Sequence, residues 1–160
     1  MRAEWKDWLA LLVWVAICFV AAGFGSAFTA SAVRAWYPAI AKPAWTPPNW
    51  VFGPVWTVLY VMMGIAAWLV WRKTGLFGGQ LPLALFVIQL LLNVAWPLIF
   101  FGLTAIGPAF FEIVVLWCAV AATIAAFLRI SRLAGWLLVP YLVWVTFAAM
   151  LNFAIWQLNP

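Results

Sequence analysis

The sequence contains no histidine, and only three acidic residues and two cysteines occur among its 160 residues. Because histidine is the commonest protein ligand of zinc, copper and haem iron, its absence disfavours a resident metal centre, and we expect neither a metal nor any other cofactor. Cys18 and Cys118 lie singly within apolar runs, far apart in the chain. Such isolated cysteines are typical of small core residues, and they disfavour a disulfide or a redox pair.

Charge is scarce as well. Charged residues make up 7% of the chain, hydrophobic residues make up 70%, and the mean hydropathy is +1.15. A soluble domain contains roughly 25% charged residues, so this composition excludes an ordinary water-exposed surface. The net charge of +5 comes from dispersed basic residues that never form a run of more than two. This dispersion indicates an orientation signal in a lipid bilayer and disfavours nucleic acid as a partner.

The apolar residues form five long runs that are separated by short polar joints. A helix needs about 20 apolar residues to cross a hydrocarbon core of roughly 30 Å. The sequence therefore predicts an all-α, multi-pass membrane protein, with one domain over residues 1–160 that is a bundle of five transmembrane helices. The predicted helices span residues 8–33, 49–71, 82–101, 108–128 and 133–158.

Basic residues predict how the bundle is oriented. The first run follows Arg2 and Lys6, as in a signal peptide, but it is longer than a signal core of about 7–15 residues, so we interpret it as a retained helix. The amino terminus and the second and fourth joints together carry six basic residues, whereas the opposite side carries only Arg34 and Lys42. The positive-inside rule therefore predicts a cytoplasmic amino terminus.

Fourteen tryptophans are present, and not all of them lie near helix ends, where an aromatic belt would account for them. Polar and aromatic residues also recur at spacings of three or four, which place side chains on one helix face. Three runs carry such a stripe: Asn49, Phe52, Trp56 and Tyr60 in the second; Gln89, Asn93 and Trp96 in the third; Tyr141, Trp144, Ala148 and Asn152 in the fifth.

The three stripes allow two interpretations. Amide side chains are costly in hydrocarbon unless they find partners, so all three faces should turn inward. There they either join the helices by hydrogen bonds or line a ligand pocket. Three stripes combined with many aromatic rings favour a pocket, and such a pocket would suit a large, flat, mostly apolar ligand.

Three charged residues have two interpretations each. Glu112 is the only acidic residue inside a run. A carboxylate at mid-membrane costs at least about 2.5–3.5 kcal/mol, which points to transport or proton coupling. It also lies about one turn after Pro108, however, near a helix amino terminus, where the helix dipole favours negative charge, and we favour a capping or interface role. Arg34 and Lys42 either meet acidic groups of a ligand at the pocket mouth or are solvated interface charges.

Sequence motifs extend over essentially the whole chain. The first joint and the start of the second run carry Trp36-Tyr37, Lys42-Pro43-Ala44-Trp45-Thr46-Pro47-Pro48, Phe52 and Val55-Trp56-Thr57-Val58-Leu59-Tyr60. The third run adds Gln89, Leu92-Asn93, Trp96 and Phe100-Phe101-Gly102, and the fifth adds Val139-Pro140-Tyr141-Leu142-Val143-Trp144 and Leu151-Asn152-Phe153. In these motifs the chain resembles the TspO/MBR family, the tryptophan-rich sensory proteins or translocator proteins.

The resemblance implies a homodimeric five-helix bundle that binds protoporphyrin IX or a related tetrapyrrole, as a sensor, scavenger or translocator. In family members that degrade porphyrin in light and oxygen, two pocket tryptophans take part, and by motif position these are Trp56 and Trp144. The resemblance also places four residues around the cavity, with the first joint as its lid: Tyr37, Trp45, Asn93 and Tyr141. A small transporter that uses Glu112, and a scaffold with a regulatory ligand pocket, remain alternative functions.

One feature departs from the animal members of the family. Their sterol motif ends in a basic residue in the fifth run, but no basic residue follows Tyr141 here. Val33, Tyr37 and Lys42 fit the same pattern in the first joint, yet such motifs are weak. Sterol binding is therefore not expected. The missing motif, together with the lack of a mitochondrial-type presequence, favours a bacterial cell membrane.

Overall fold

The computed structural model describes residues 5–160, except the side chains of Ser31, Leu76 and Phe77. Arg2, which contributes to the predicted orientation, lies outside the described residues. Within them there are five long helices and no strand, and every helix is long and apolar enough to cross a membrane, which confirms the predicted fold class. The helices are α1 (Trp5–Ala35), α2 (Asn49–Gly78), α3 (Gln80–Pro97), α4 (Ile106–Ile130) and α5 (Arg132–Leu158).

Local sequence accounts for the ends of the helices. α2 begins directly after the prolines of the first joint, and it continues past the apolar run to a kink at Gly75, where φ is 64° and glycine is strain-free. A π-helical turn, Leu98–Gly102, extends α3 beyond Pro97. Between α4 and α5 a single extended residue, Ser131, accepts a hydrogen bond from the N–H of Ala134 and so caps α5.

The five helices form a ring in the order α1, α2, α5, α4 and α3. Neighbours in this order make the largest contacts, and α2 also contacts α3 and α4 across the ring. Only 17–39% of the apolar stretch of each helix is buried inside the bundle. The remaining surface is rich in exposed leucine, valine, phenylalanine and tryptophan, which is the surface that a lipid bilayer requires.

The two ends of the bundle are packed differently. In the half nearer the amino terminus, Met63, Val70, Phe86 and Phe127 are completely buried, and the two phenylalanine rings stack with centroids 6.0 Å apart. Arg72 of α2 lies 3.6 Å from the carboxylate of Asp7 in α1, so an ion pair also joins two helices at this end. The opposite half, towards the loop between α1 and α2, encloses a cavity.

The two cysteines have different environments. Cys18 is completely buried in α1, as expected, whereas Cys118 lies on the exposed outer face of α4. The expectation of a core position is therefore wrong for Cys118, because an apolar run in a membrane helix covers the lipid-facing side as well as the core.

Candidate ligand-binding cavity

The cavity has a volume of about 770 Å³, and all five helices, the π-helical turn and the loop after α1 contribute to its wall. Cavities of roughly 300–1,000 Å³ bind drug-sized ligands, so this one can hold a substantial flat molecule. Ten of the thirteen residues that the stripes and the resemblance single out line it: Tyr37, Asn49, Phe52, Trp56, Tyr60, Asn93, Trp96, Trp144, Ala148 and Asn152.

Aromatic rings form one side of the cavity. Trp56 stacks on Tyr60 in the next turn of α2, with centroids 5.4 Å apart and an angle of 30° between the rings. Trp144 of α5 meets the edge of Phe52 at 5.8 Å and an angle of 73°. These rings are fixed against one another, and the two indole faces are presented by different helices, α2 and α5. The arrangement can contact a flat ligand with little loss of side-chain entropy.

A chain of hydrogen bonds behind this wall joins three helices. The hydroxyl of Tyr60 donates to Oδ1 of Asn93, and Nδ2 of Asn93 donates to the hydroxyl of Tyr141 at 2.8 Å. Tyr141 itself is 1% exposed and does not line the cavity, but its ring meets Trp56 edge-on at 6.1 Å. Asn93 and Tyr141 therefore hold the aromatic wall in position, with the amide of Asn93 already satisfied by protein partners.

Asn152 also holds an aromatic residue of the wall in position, nearer the loop between α1 and α2. Its Oδ1 accepts a hydrogen bond from the indole N–H of Trp96 at 3.0 Å, and its Nδ2 donates to the carbonyl of Ile106 at 2.9 Å. Trp96 in turn stacks on Phe100, with centroids 4.9 Å apart. The stripes on α3 and α5 thus meet through side-chain hydrogen bonds, which is what inward-facing amides in a bilayer require.

Two other candidate residues also lie away from the cavity. Gln89 is 1% exposed, and its amide has no hydrogen-bond partner among the described residues. It shares a helix face with Asn93 but lies one turn further towards Phe86, where the bundle is densely packed. Trp45 lies on the outside of the loop, half exposed, with its ring 5.9 Å from that of Phe147. Helical spacing predicts a shared face but not the depth at which the cavity ends.

α1 provides a wall of the cavity that belongs to none of the three stripes. Gly23, Ser26 and Ala30 line the cavity, and Gly25 lets α1 approach Pro97, since a Cβ atom there would lie 3.3 Å from the proline ring. These residues are small and carry no aromatic or amide group. The sequence does show that these small residues recur at spacings of three and four. Small residues at such spacings permit close approach between membrane helices.

Most polar groups of the lining already have protein partners. The hydroxyls of Ser26, Thr29 and Thr57 each donate to a carbonyl of their own helix at 2.9–3.0 Å. The amides of Asn93 and Asn152 are engaged as described above. Five lining groups make no hydrogen bond to any described residue: the indole N–H groups of Trp56 and Trp144, the hydroxyl of Tyr37, the amide of Asn49 and the guanidinium of Arg34.

The loop between α1 and α2 is held by its own lysine. Nζ of Lys42 donates to the carbonyls of Tyr37 at 2.6 Å and Ile40 at 2.7 Å, and it lies 4.9 Å from the centre of the Tyr37 ring. Lys42 therefore points into the loop and does not line the cavity, whereas Arg34 does. Burial raises the pKa of Tyr37 above its usual value of 10.0, so its hydroxyl remains a donor at physiological pH.

The cavity opens sideways, between α1 and α2. Every exposed residue of its lining belongs to one of these two helices, and the lining contributed by α3, α4 and α5 is buried or half-buried. The gap therefore faces the surface that the bundle presents to lipid. The exposed lining residues are Phe19, Gly23, Ser26, Ala30 and Arg34 on α1 and Asn49, Gly53 and Thr57 on α2.

The packing of α1 on α2 explains this opening. Gly64 lies so close to Val15 that a Cβ atom on the glycine would be 2.7 Å from the valine Cα. This contact and the Asp7 ion pair fix an antiparallel register that places Ser26 opposite Gly53. At Gly53 a Cβ atom would meet nothing within 4 Å. The two helices thus touch at the densely packed end and separate beside the cavity.

Glu112 is half-buried in α4, and its two buried carboxylate oxygens have no hydrogen-bond partner among the described residues. The carboxylate therefore accepts no backbone N–H group of the first turn, which contradicts the capping half of the favoured interpretation, and the interface half stays a prediction. Glu112 does not line the cavity, although the next residue, Ile113, does.

Comparisons with known proteins agree with this architecture. The model of the TspO/MBR family matches residues 14–157. The chain is 43% identical to the tryptophan-rich protein TspO of Chlorobaculum tepidum, over 97% of this chain and 99% of that protein. It is 44% identical to the human translocator protein over 89% of this chain and 83% of that protein, and 39% identical to a tryptophan-rich sensory protein of Cereibacter sphaeroides over 96% and 93%. The chain therefore belongs to the TspO/MBR family.

Proposed function

We propose that this membrane protein binds a flat, largely apolar tetrapyrrole of the protoporphyrin IX type and acts as a sensor, scavenger or translocator of it. The observation that carries the proposal is the aromatic cavity of about 770 Å³, which presents free indole N–H groups from two helices. The names of its relatives include "sensory" and "translocator", and both agree with a protein that takes up a ligand within a membrane.

The mode of binding follows from the cavity wall. The faces of Trp56 and Trp144 would stack against the macrocycle, and their indole N–H groups would donate to acceptors of the ligand. Asn93 and Tyr141 would act indirectly, because their polar groups already bond within the protein and fix Trp56. Tyr37 would close the cavity from the loop and offer its hydroxyl.

Binding is tested by titrating the purified protein with protoporphyrin IX in detergent and in lipid nanodiscs while recording tryptophan fluorescence. We expect saturable quenching, and we expect Trp56→Phe and Trp144→Phe each to weaken binding. Trp136→Phe is a matched control, because Trp136 is exposed near the start of α5 and does not line the cavity. Fluorescence that porphyrin leaves unchanged in both media would refute the proposal.

We further propose, from the family resemblance, that bound porphyrin can be degraded in light and oxygen with Trp56 and Trp144 taking part. In a balanced scheme O2 oxidises the excited porphyrin, and the porphyrin radical cation and superoxide then combine to an oxygenated macrocycle. Indole is readily oxidised and reduced again, so Trp56 and Trp144 would relay the electron from the macrocycle to oxygen and end unchanged. Illumination in air would then give a protein-dependent loss of the porphyrin bands that either Trp→Phe variant abolishes. If the bands of bound porphyrin decayed no faster than those of free porphyrin, enzymatic degradation would be excluded, and the protein would be a receptor or carrier.

Glu112 supports a second candidate function, that of a small transporter. A buried carboxylate without partners is costly in a membrane and is often retained for proton or ion coupling. The test measures substrate flux into proteoliposomes for the wild type and Glu112→Gln. A loss of flux in Glu112→Gln while porphyrin affinity is retained would favour this function. Flux that is unaffected by the substitution would exclude a coupling role for Glu112.

We also propose that the protein is a homodimer of a bacterial cell membrane, with its amino terminus in the cytoplasm. The charge asymmetry of the joints supports the orientation, and the family resemblance supports the dimer. Crosslinking in membranes that yields only monomer would contradict the dimer. With this orientation, Ala44 in the first joint lies outside the cytoplasm. If an impermeant maleimide added from the cytoplasmic side labelled a cysteine introduced at Ala44, the proposed orientation would be contradicted.

A further inference from the structure

The cavity lining separates its neutral polar groups from its charge. The free groups in the interior are neutral donors, namely the indole N–H groups of Trp56 and Trp144 and the hydroxyl of Tyr37. Among the described residues of the lining, the one charged side chain is that of Arg34, which lies in the last turn of α1 at the mouth of the cavity. The free amide of Asn49 lies on the α2 side of the same opening.

The described part of the chain offers Arg34 no acidic partner. It contains two acidic residues, Asp7 and Glu112. Asp7 pairs with Arg72 at the opposite end of the bundle, and the carboxylate of Glu112 is buried without any partner. The guanidinium therefore stands unpaired at the entrance of an otherwise uncharged cavity.

The other cation on this side of the bundle is engaged differently. Lys42 uses its ammonium group to bond three loop carbonyls, those of Tyr37, Pro38 and Ile40. Its charge is thus committed to the fold of the loop, and Lys42 does not line the cavity. Of Arg34 and Lys42, the two basic residues on this side of the bundle, only Arg34 lines the cavity.

We infer that Arg34 binds a carboxylate of the ligand at the cavity mouth, which makes the site selective for flat apolar molecules that carry an acidic group at one edge. This inference rests on the proposed function and specifies its ligand class. A planar guanidinium forms two parallel hydrogen bonds with a carboxylate, a geometry that fixes the orientation of the ligand. The apolar rings then enter the aromatic cavity while the acidic edge stays at the polar boundary of the membrane.

An anionic lipid headgroup has related chemistry and could reach the same guanidinium from the bilayer. We commit to the ligand carboxylate, because Arg34 belongs to the cavity lining and the free amide of Asn49 lies at the same opening. Phosphatidylcholine carries no net charge, whereas phosphatidylglycerol is anionic. Affinities measured in phosphatidylcholine nanodiscs with and without phosphatidylglycerol therefore distinguish the ligand carboxylate from a lipid headgroup as the partner of Arg34.

The test compares protoporphyrin IX with its dimethyl ester, which keeps the macrocycle but lacks the carboxylates. Affinities of both are measured at pH 8 in phosphatidylcholine nanodiscs for the wild type, Arg34→Gln and Arg34→Lys. The two porphyrins partition into lipid differently, so the deciding quantity is how the ratio of acid to ester affinity changes between variants. Arg129→Gln is the control, because Arg129 also lies in the last turn of its helix, at the opposite end of the bundle.

We expect Arg34→Gln to lower the acid-to-ester ratio by about tenfold, the effect of losing a charge-assisted hydrogen bond. Arg34→Lys should keep part of the ratio, and Arg129→Gln should leave it at the wild-type value. A ratio that is unchanged in Arg34→Gln would overturn the inference, as would a ratio that falls only when phosphatidylglycerol is present. If the wild type binds neither porphyrin, the proposed function fails and this inference fails with it.

Discussion

The side chain of Asn159 forms two hydrogen bonds with the backbone of Ala41. Its Oδ1 accepts from the N–H of Ala41 at 3.0 Å, and its Nδ2 donates to the carbonyl of Ala41 at 2.9 Å. The same Nδ2 also donates to the carbonyl of Ile155 at 2.8 Å, which anchors the amide to the last turn of α5. The loop between α1 and α2 is thereby fastened to the end of α5.

Asn159→Ala should therefore loosen the loop without unfolding the bundle. We expect faster amide hydrogen exchange in residues 36–48 and a rise in the porphyrin dissociation rate of about three- to tenfold, since about 1 kcal/mol of loop anchoring is removed. Gln157→Ala is the control, because Gln157 is exposed at the same end of α5 and makes no side-chain hydrogen bond to a described residue. Equal exchange and dissociation rates in the two variants would show that the amide does not fasten the loop.

Asn93 and Gln89 should respond to the same substitution with opposite signs. Asn93→Leu removes two side-chain hydrogen bonds and leaves two buried tyrosine hydroxyls unpaired, so we expect the free energy of unfolding to fall by about 1–2 kcal/mol. Gln89→Leu removes a buried amide without partners, so we expect no loss or a gain of up to about 1 kcal/mol. Both are measured by denaturant unfolding in detergent micelles, and a loss of equal size in both variants would contradict the structure.

A pair of glycines in α2 tests the closed end of the α1–α2 interface. Gly64→Ala should destabilise the protein by about 1–3 kcal/mol, because the added methyl group would lie 2.7 Å from the backbone of Val15 and α1 would have to move. Gly53→Ala adds the same group where nothing lies within 4 Å, so no loss is expected. Thermal unfolding followed by tryptophan fluorescence distinguishes them, and equal midpoints would contradict close contact at Gly64.

The gap between α1 and α2 predicts a route of entry that can be blocked. In a Cys118→Ser background, cysteines at Ser26 and Gly53 joined by a short bifunctional maleimide should slow porphyrin uptake from lipid by about tenfold or more, a barrier increase of about 1.4 kcal/mol or more. Each single cysteine treated with the same reagent is the control. Uptake at the control rate after verified crosslinking would show that the ligand enters by another path.

The sequence predicts the number of helices and their inward faces because both depend on local patterns. Run length and hydropathy mark the membrane spans, and spacings of three and four residues mark the faces. The point along a helix at which the cavity ends is not determined by local sequence. Gln89 and Asn93 lie on one face of α3, yet only Asn93 borders the cavity. That difference depends on how the other helices pack around α3, and the spacing of residues within one helix carries no such information.

The α1 wall escaped prediction for a different reason. Gly23, Ser26 and Ala30 line the cavity. Their small size leaves room for a ligand, but they carry no aromatic or amide group that would mark a binding site in the sequence. The same small residues occur at ordinary helix contacts, so composition alone cannot distinguish a wall from an interface. Glu112 likewise needs the structure, because only the packing around it shows that its carboxylate bonds to none of the described residues.

The separation of α1 from α2 beside the cavity affects how affinity must be expressed. An opening that faces hydrocarbon exchanges ligand with the lipid phase, so occupancy follows the ligand's mole fraction in lipid and not its concentration in water. Adding empty vesicles at constant total ligand would then dilute the ligand and lower occupancy, although the protein and its intrinsic affinity are unchanged. Dissociation constants for this protein become comparable between preparations only when the ratio of lipid to protein is stated with them.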